Sequence, residues 1–111
     1  MTEDYMVIEK LAIGDAIVLE EKGATYGDSW RKRGGIGAFM MLCRKWDRIE
    51  NICREHGWDV FEAVARNEGD IIDDIRDLRR YLLLVDAYVI SRQDSAEMKA
   101  YTNPDHDQMD V

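Results

Sequence analysis

DIIDDIRDLRRYLLLVDAYVISR, residues 70–92, decides the fold class. The stretch holds no proline or glycine, and Ile71, Ile75, Leu78, Leu82 and Val85 recur on one face at helical spacing. Asp70 stands where an N-cap is expected. Acids crowd the first turn and Arg76, Arg79 and Arg80 follow, the order that suits the helix dipole. The spacing predicts a long amphipathic helix whose polar edge is an acidic stripe: Asp70, Asp73, Asp74 and Asp77.

Upstream, the same reasoning predicts three more helices. The first covers about 3–21, with Ile8, Leu11, Ala12, Val18 and Leu19 at helical spacing and Gly23 as its stop. The second covers about 36–56, with Phe39, Leu42, Cys43, Trp46, Ile49 and Cys53 as its apolar face and Gly57 as its end. A short helix covers about 59–66, and a turn covers 67–69. Five glycines between 23 and 37 predict an irregular segment there. Downstream, residues 94–111 are polar and acidic and hold the single proline, Pro104. They read as a tail on one domain, residues 1–93.

The 111 residues suit one domain with a modest core. Small helical chains of this size often complete their cores by pairing, so an all-α bundle of about four helices, completed by homo-oligomerisation, is expected. A net charge of −8 opposes binding to DNA or RNA polymers. Cys43 and Cys53 are ten residues apart on one helix, roughly 15 Å, too far for a disulfide. Reduced cysteines fit the cytoplasm. The first residues lack a signal pattern, and no apolar run reaches membrane length.

Three constellations could carry chemistry. Asp47 and Glu50 are three apart on the second helix, and Asp74 and Asp77 are three apart on the last. Residues so spaced share a side. Antiparallel packing would let the pairs face each other as an oxygen-rich site for Mg²⁺. The plain alternative is a solvated acidic helix start. The second constellation is the loop holding Tyr26, Trp30, Arg31, Lys32 and Arg33. Its cations and glycines suit phosphate, and its aromatics suit a base. The alternative is an exposed basic loop anchored by two aromatics. In the third, Lys45 and Arg48 could reach phosphate oxygens or could form surface ion pairs; Arg79 and Arg80 read the same way, and Tyr81 could line a site or belong to the core. His56 precedes Gly57 at a helix end, where a cation favours the dipole.

Asp47-x-x-Glu50, 23 intervening residues and Asp74-x-x-Asp77 resemble the two-part acidic signature of MazG-like all-α nucleoside triphosphate pyrophosphohydrolases. Tyr26-Gly-Asp-Ser-Trp30, followed by Lys45-x-x-Arg48 and the acidic helix, resembles more closely a small phage-associated branch, the nucleotide-modification-associated domains. The resemblance implies a MazG-like bundle, a homo-oligomer, a small-molecule nucleotide ligand and, for a phage-encoded chain, the host cytoplasm. As an enzyme the chain would hold Mg²⁺ on Asp47, Glu50, Asp74 and Asp77, with Asp74 and Asp77 catalytic. Tyr26, Trp30, Arg31, Lys32, Arg33, Lys45, Arg48 and Tyr81 would bind the nucleotide. The register of the second helix leaves two alternatives: Asp47 and Glu50 face the last helix, or Lys45 and Arg48 do. In the second case the protein would bind a nucleotide without cleaving it, as a sponge for an antiviral signalling nucleotide. A purely structural helical module is the third reading.

Overall fold

The computed structural model describes residues 2–66 and 69–93, leaving out the side chains of 24–26. Its regular elements are α1 (Glu3–Tyr26), α2 (Gly34–Glu55), α3 (Val60–Arg66) and α4 (Asp70–Arg92), with a 3₁₀ turn at Ser29–Arg31. No strand occurs among the described residues. None of the described helices is long and apolar enough to cross a membrane. The tail from 94 and most of the expected 67–69 turn lie outside the described residues.

Glycine ends these helices by conformation more than by composition. α1 does not stop at Gly23; it continues to Tyr26 and ends at Gly27, whose φ is 61°. A helix tolerates a glycine at a cost of about 1 kcal/mol, whereas the left-handed turn at Gly27 favours one. The expected irregular segment therefore shrinks to residues 27–33. At the end of α2, the Trp58 and His56 amides both donate to the Cys53 carbonyl, at 2.8 and 2.9 Å. These bonds close the helix where Gly57 predicted. Asp59 caps α3: its Oδ1 accepts from the Phe61 and Glu62 amides at 3.0 and 3.1 Å. Asp70 does not cap α4. Gly69 holds that position at φ 103°, and Asp70 is the first helical residue.

The core lies between α2, α3 and α4. Ile49, Cys53, Ala63 and Ile71 are buried, with Ile52, Val64, Ile75 and Leu78 packed around them. Lys45 meets Asp77 and Arg48 meets Asp74, so α2 and α4 run antiparallel. The expected α2 face is only partly covered: Phe39 is 61% and Trp46 53% exposed. Both cysteines are free thiols. α1 adds nothing to this core and makes few close approaches to the other helices.

One close approach fixes a residue in α2. A Cβ on Gly37 would lie 2.7 Å from the Cβ of Arg33, at the base of that side chain. Gly37→Ala should therefore lower stability by about 1 kcal/mol, the clash outweighing alanine's better helix propensity. A urea titration followed by circular dichroism measures this, and a rise in the midpoint would show that the backbone relaxes freely.

Candidate functional site

The site is built from an ion-pair network crossing three helices. On α4, residues 73–80 present alternating acids and arginines, and the antiparallel α2 brings two cations to them. Lys45 Nζ lies 3.0 Å from Asp77 and 3.7 Å from Asp74, and Arg48 Nε lies 2.9 Å from Asp74. Arg80 reaches Asp77 at 3.9 Å from one side and Asp15 of α1 at 2.9 Å from the other. Arg79 grips Asp15 through both oxygens, at 2.6 and 2.8 Å.

Asp15 is 1% exposed, the only buried residue of α1 among those described. The Arg79 hydrogen bonds hold its carboxyl below the ordinary carboxylate range; burial opposes this, and Arg80 adds to the lowering. The same contact raises Arg79 above the usual guanidinium range. The sequence reading passed over Asp15, whose partners lie 64 and 65 residues away. A signal was nevertheless present. Asp15 is a single acid within an apolar run, 11–19, and a charge buried with that run needs paired cations, which Arg79-Arg80 supply.

The four expected metal carboxylates do not converge. Of the two registers open in the sequence, the structure adopts the one that puts Lys45 and Arg48 opposite Asp74 and Asp77. Asp47 is exposed, and Glu50 is engaged locally, accepting from Trp46 Nε1 at 3.0 Å and from Arg54 at 3.1 Å. The reason is helix geometry: residues 45 and 48 share one side of α2, and Asp47 lies on another. Asp74 and Asp77 alone, each already paired with a cation, do not fit the oxygen-rich donor set Mg²⁺ requires. Among the described residues, no group of three or more His, Cys, Asp or Glu side chains could hold a metal ion. Asp74 is 2% exposed, and its Oδ2 has no hydrogen-bond partner.

A cavity of about 400 Å³ opens beside this network, within the range of small-molecule sites. Leu19 and Lys22 of α1, Asp28 and Trp30 of the connecting turn, Met41 of α2, and Asp77, Arg80, Tyr81 and Leu84 of α4 line it. Two of the expected ligand residues, Trp30 and Tyr81, are therefore on its wall. Trp30 packs edge-on against Tyr88 with ring centroids 6.0 Å apart, which fixes its orientation.

The basic run is placed differently from the expectation. Arg31 pairs with Asp28 at 2.7 Å and lies 4.7 Å over the Tyr88 ring. Lys32 and Arg33 are exposed and do not line the cavity. Its cations are instead Lys22, which the sequence reading passed over, and Arg80, which it weighed beside Tyr81. The side chain of Tyr26 lies outside the description. Comparison with family models, curated proteins and solved structures finds no match.

Proposed function

We propose that the chain binds a phosphorylated nucleotide in the cavity between α1, α2 and α4 and holds it without cleaving it. The observation that carries this reading is the cavity wall. Two aromatic rings, Trp30 and Tyr81, and two cations, Lys22 and Arg80, share one pocket with apolar Leu19, Met41 and Leu84 and with Asp28 and Asp77, whose charges Arg31 and Lys45 offset. Aromatic and apolar walls suit a base, and the cations suit phosphate. Asp74 and Asp77 support binding over hydrolysis, because Lys45 and Arg48 already neutralise them. The resemblance to the phage-associated MazG-like branch supports a nucleotide as the ligand class and a sponge for an antiviral signalling nucleotide as the role. It also supports a homo-oligomer as the working form.

A second reading has one observation in its favour. The buried Oδ2 of Asp74 retains free acceptor capacity. A ligand that drew Lys45 and Arg48 onto its phosphates would free both carboxylates, half of the acidic set in the MazG-like signature.

The test is a thermal-shift panel of linear, cyclic and modified nucleotides, with and without Mg²⁺. A ligand at a hundred times its Kd stabilises the fold by about 2.7 kcal/mol. The expected result is a metal-independent shift, intact ligand on chromatography after denaturation, and at least tenfold weaker binding in Lys22→Ala and Trp30→Ala. Recovery of a monophosphate and pyrophosphate would replace binding with hydrolysis. A flat panel would remove both nucleotide readings.

A further inference from the structure

We propose that the ligand of the cavity carries a single phosphate group: a nucleoside monophosphate, its base against Trp30 and Tyr81 and its phosphate on Lys22 and Arg80. This rests on the nucleotide reading above and narrows it by charge.

Four ionised side chains line the cavity: Lys22, Asp28, Asp77 and Arg80. Taken alone they cancel, but each acid has a further cation behind it. Arg31 pairs with Asp28 at 2.7 Å, and Lys45 pairs with Asp77 at 3.0 Å. The ion pairs that continue from Lys45 and Arg80 reach two more acids, each again with its own cation. Arg48 holds Asp74 at 2.9 Å, and Arg79 holds Asp15 at 2.6 Å. Every carboxylate in this linked set is therefore matched one for one. Two positive charges remain over, and they belong to Lys22 and Arg80, the two cations on the cavity wall.

Both are chemically available. Lys22 forms no ion pair among the described residues. Arg80 is anchored through Nε, which donates to Asp15 at 2.9 Å. Its Nη1 lies 3.9 Å from Asp77, beyond hydrogen-bond reach. A guanidinium held by one edge presents its remaining N–H donors as a fork that suits phosphate oxygens.

A surplus of two charges selects the ligand. A phosphate monoester carries about −1.5 to −2 at neutral pH, which neutralises Lys22 and Arg80. A bare nucleoside leaves both cations unused. A free diphosphate or triphosphate brings charge that the cavity does not match, into a chain whose net charge is already −8. Unmatched charge is costly to hold away from water. Size agrees with charge: a cavity of about 400 Å³ is near the lower end of small-molecule sites, and suits one nucleotide better than two joined together.

Isothermal titration calorimetry of the full chain in EDTA tests the proposal. The probes are the nucleoside, monophosphate, diphosphate and triphosphate of adenine, guanine, cytosine and thymine, together with cyclic di-AMP. For the preferred base, the monophosphate should bind at least tenfold more tightly than the nucleoside and the triphosphate. Two substitutions move the balance by one charge in opposite directions. Lys22→Gln should weaken the monophosphate at least tenfold, to the level of the nucleoside. Asp28→Asn releases Arg31 and should shift the preference toward the diphosphate. A triphosphate or cyclic di-AMP bound most tightly overturns the single phosphate and leaves the nucleotide reading standing. Equal binding of nucleoside and monophosphate overturns the roles of Lys22 and Arg80. Variants that keep the wild-type order of affinities overturn charge balance as its cause. A series in which nothing binds overturns this inference and the nucleotide reading together.

Discussion

Asp15→Asn should lower the melting temperature by roughly 10–20 °C, the effect of about 3 kcal/mol on a domain of this size. The figure follows from what the substitution removes. Arg79 and Arg80 donate three hydrogen bonds to a carboxylate that is 1% exposed. Hydrogen bonds to charged groups contribute about 1.5–3 kcal/mol each, and breaking a buried pair costs about 3–5 kcal/mol. Arg79 and Arg80 are 34% and 21% exposed and regain some water, which holds the loss to the lower end. Because α1 has no share in the α2–α3–α4 core, the damage should be local. Hydrogen exchange should accelerate across α1 while the amides around Ile49 and Ile71 stay protected. Equal exchange in wild type and variant would show that α1 is held by something other than this clamp.

The same carboxylate sets an acid limit. Its folded-state pKa is depressed, so its contribution to stability is complete above the unfolded value of about 3.9 and is lost as pH falls toward the folded value. Wild-type stability should therefore decline with acid below about pH 4 more steeply than that of Asp15→Asn. The two curves should converge at the lowest pH. Parallel curves would mean that Asp15 is not the titrating group.

What the sequence made legible was local; what it concealed depended on register and pairing. α4 was readable because a 23-residue run without glycine or proline leaves few alternatives to helix. The glycine at position 57 and the short helix after it were readable for the same local reasons. The 23–37 segment misled, because counting glycines does not show which of them adopts a left-handed turn. The site was half legible. Trp30, Tyr81 and Asp77 were singled out and line the cavity, whereas Asp47 and Glu50 do not face α4. A rotation of about 100° per residue along α2 separates the acidic register from the cationic one, and no propensity distinguishes them. Asp15 depends on a partner 64 residues away, which no window of sequence contains.

That register choice leads to the second large effect. Replacing both Lys45 and Arg48 with Glu should convert this cluster into a divalent-cation site. The two positions face Asp77 and Asp74 at 3.0 and 2.9 Å, so the substitutions place four carboxylates together across α2 and α4. Without metal the variant should lose about 3 kcal/mol, since it breaks ion pairs to a 2% exposed Asp74 and adds like charges. Arg48 is 64% exposed, which keeps the loss from being larger. Mg²⁺ or Mn²⁺ at a hundred times its Kd should return about 2.7 kcal/mol of that stability. The wild-type chain should melt at the same temperature in EDTA and in Mg²⁺. A double variant indifferent to both metals would mean that the helices cannot approach closely enough to share an ion. A metal-dependent wild type would mean that Lys45 and Arg48 yield Asp74 and Asp77 to a cation, which would favour hydrolysis over binding. The comparison therefore measures how far two cations on α2 keep Asp74 and Asp77 from a metal ion, the difference on which the proposed choice of binding over hydrolysis rests.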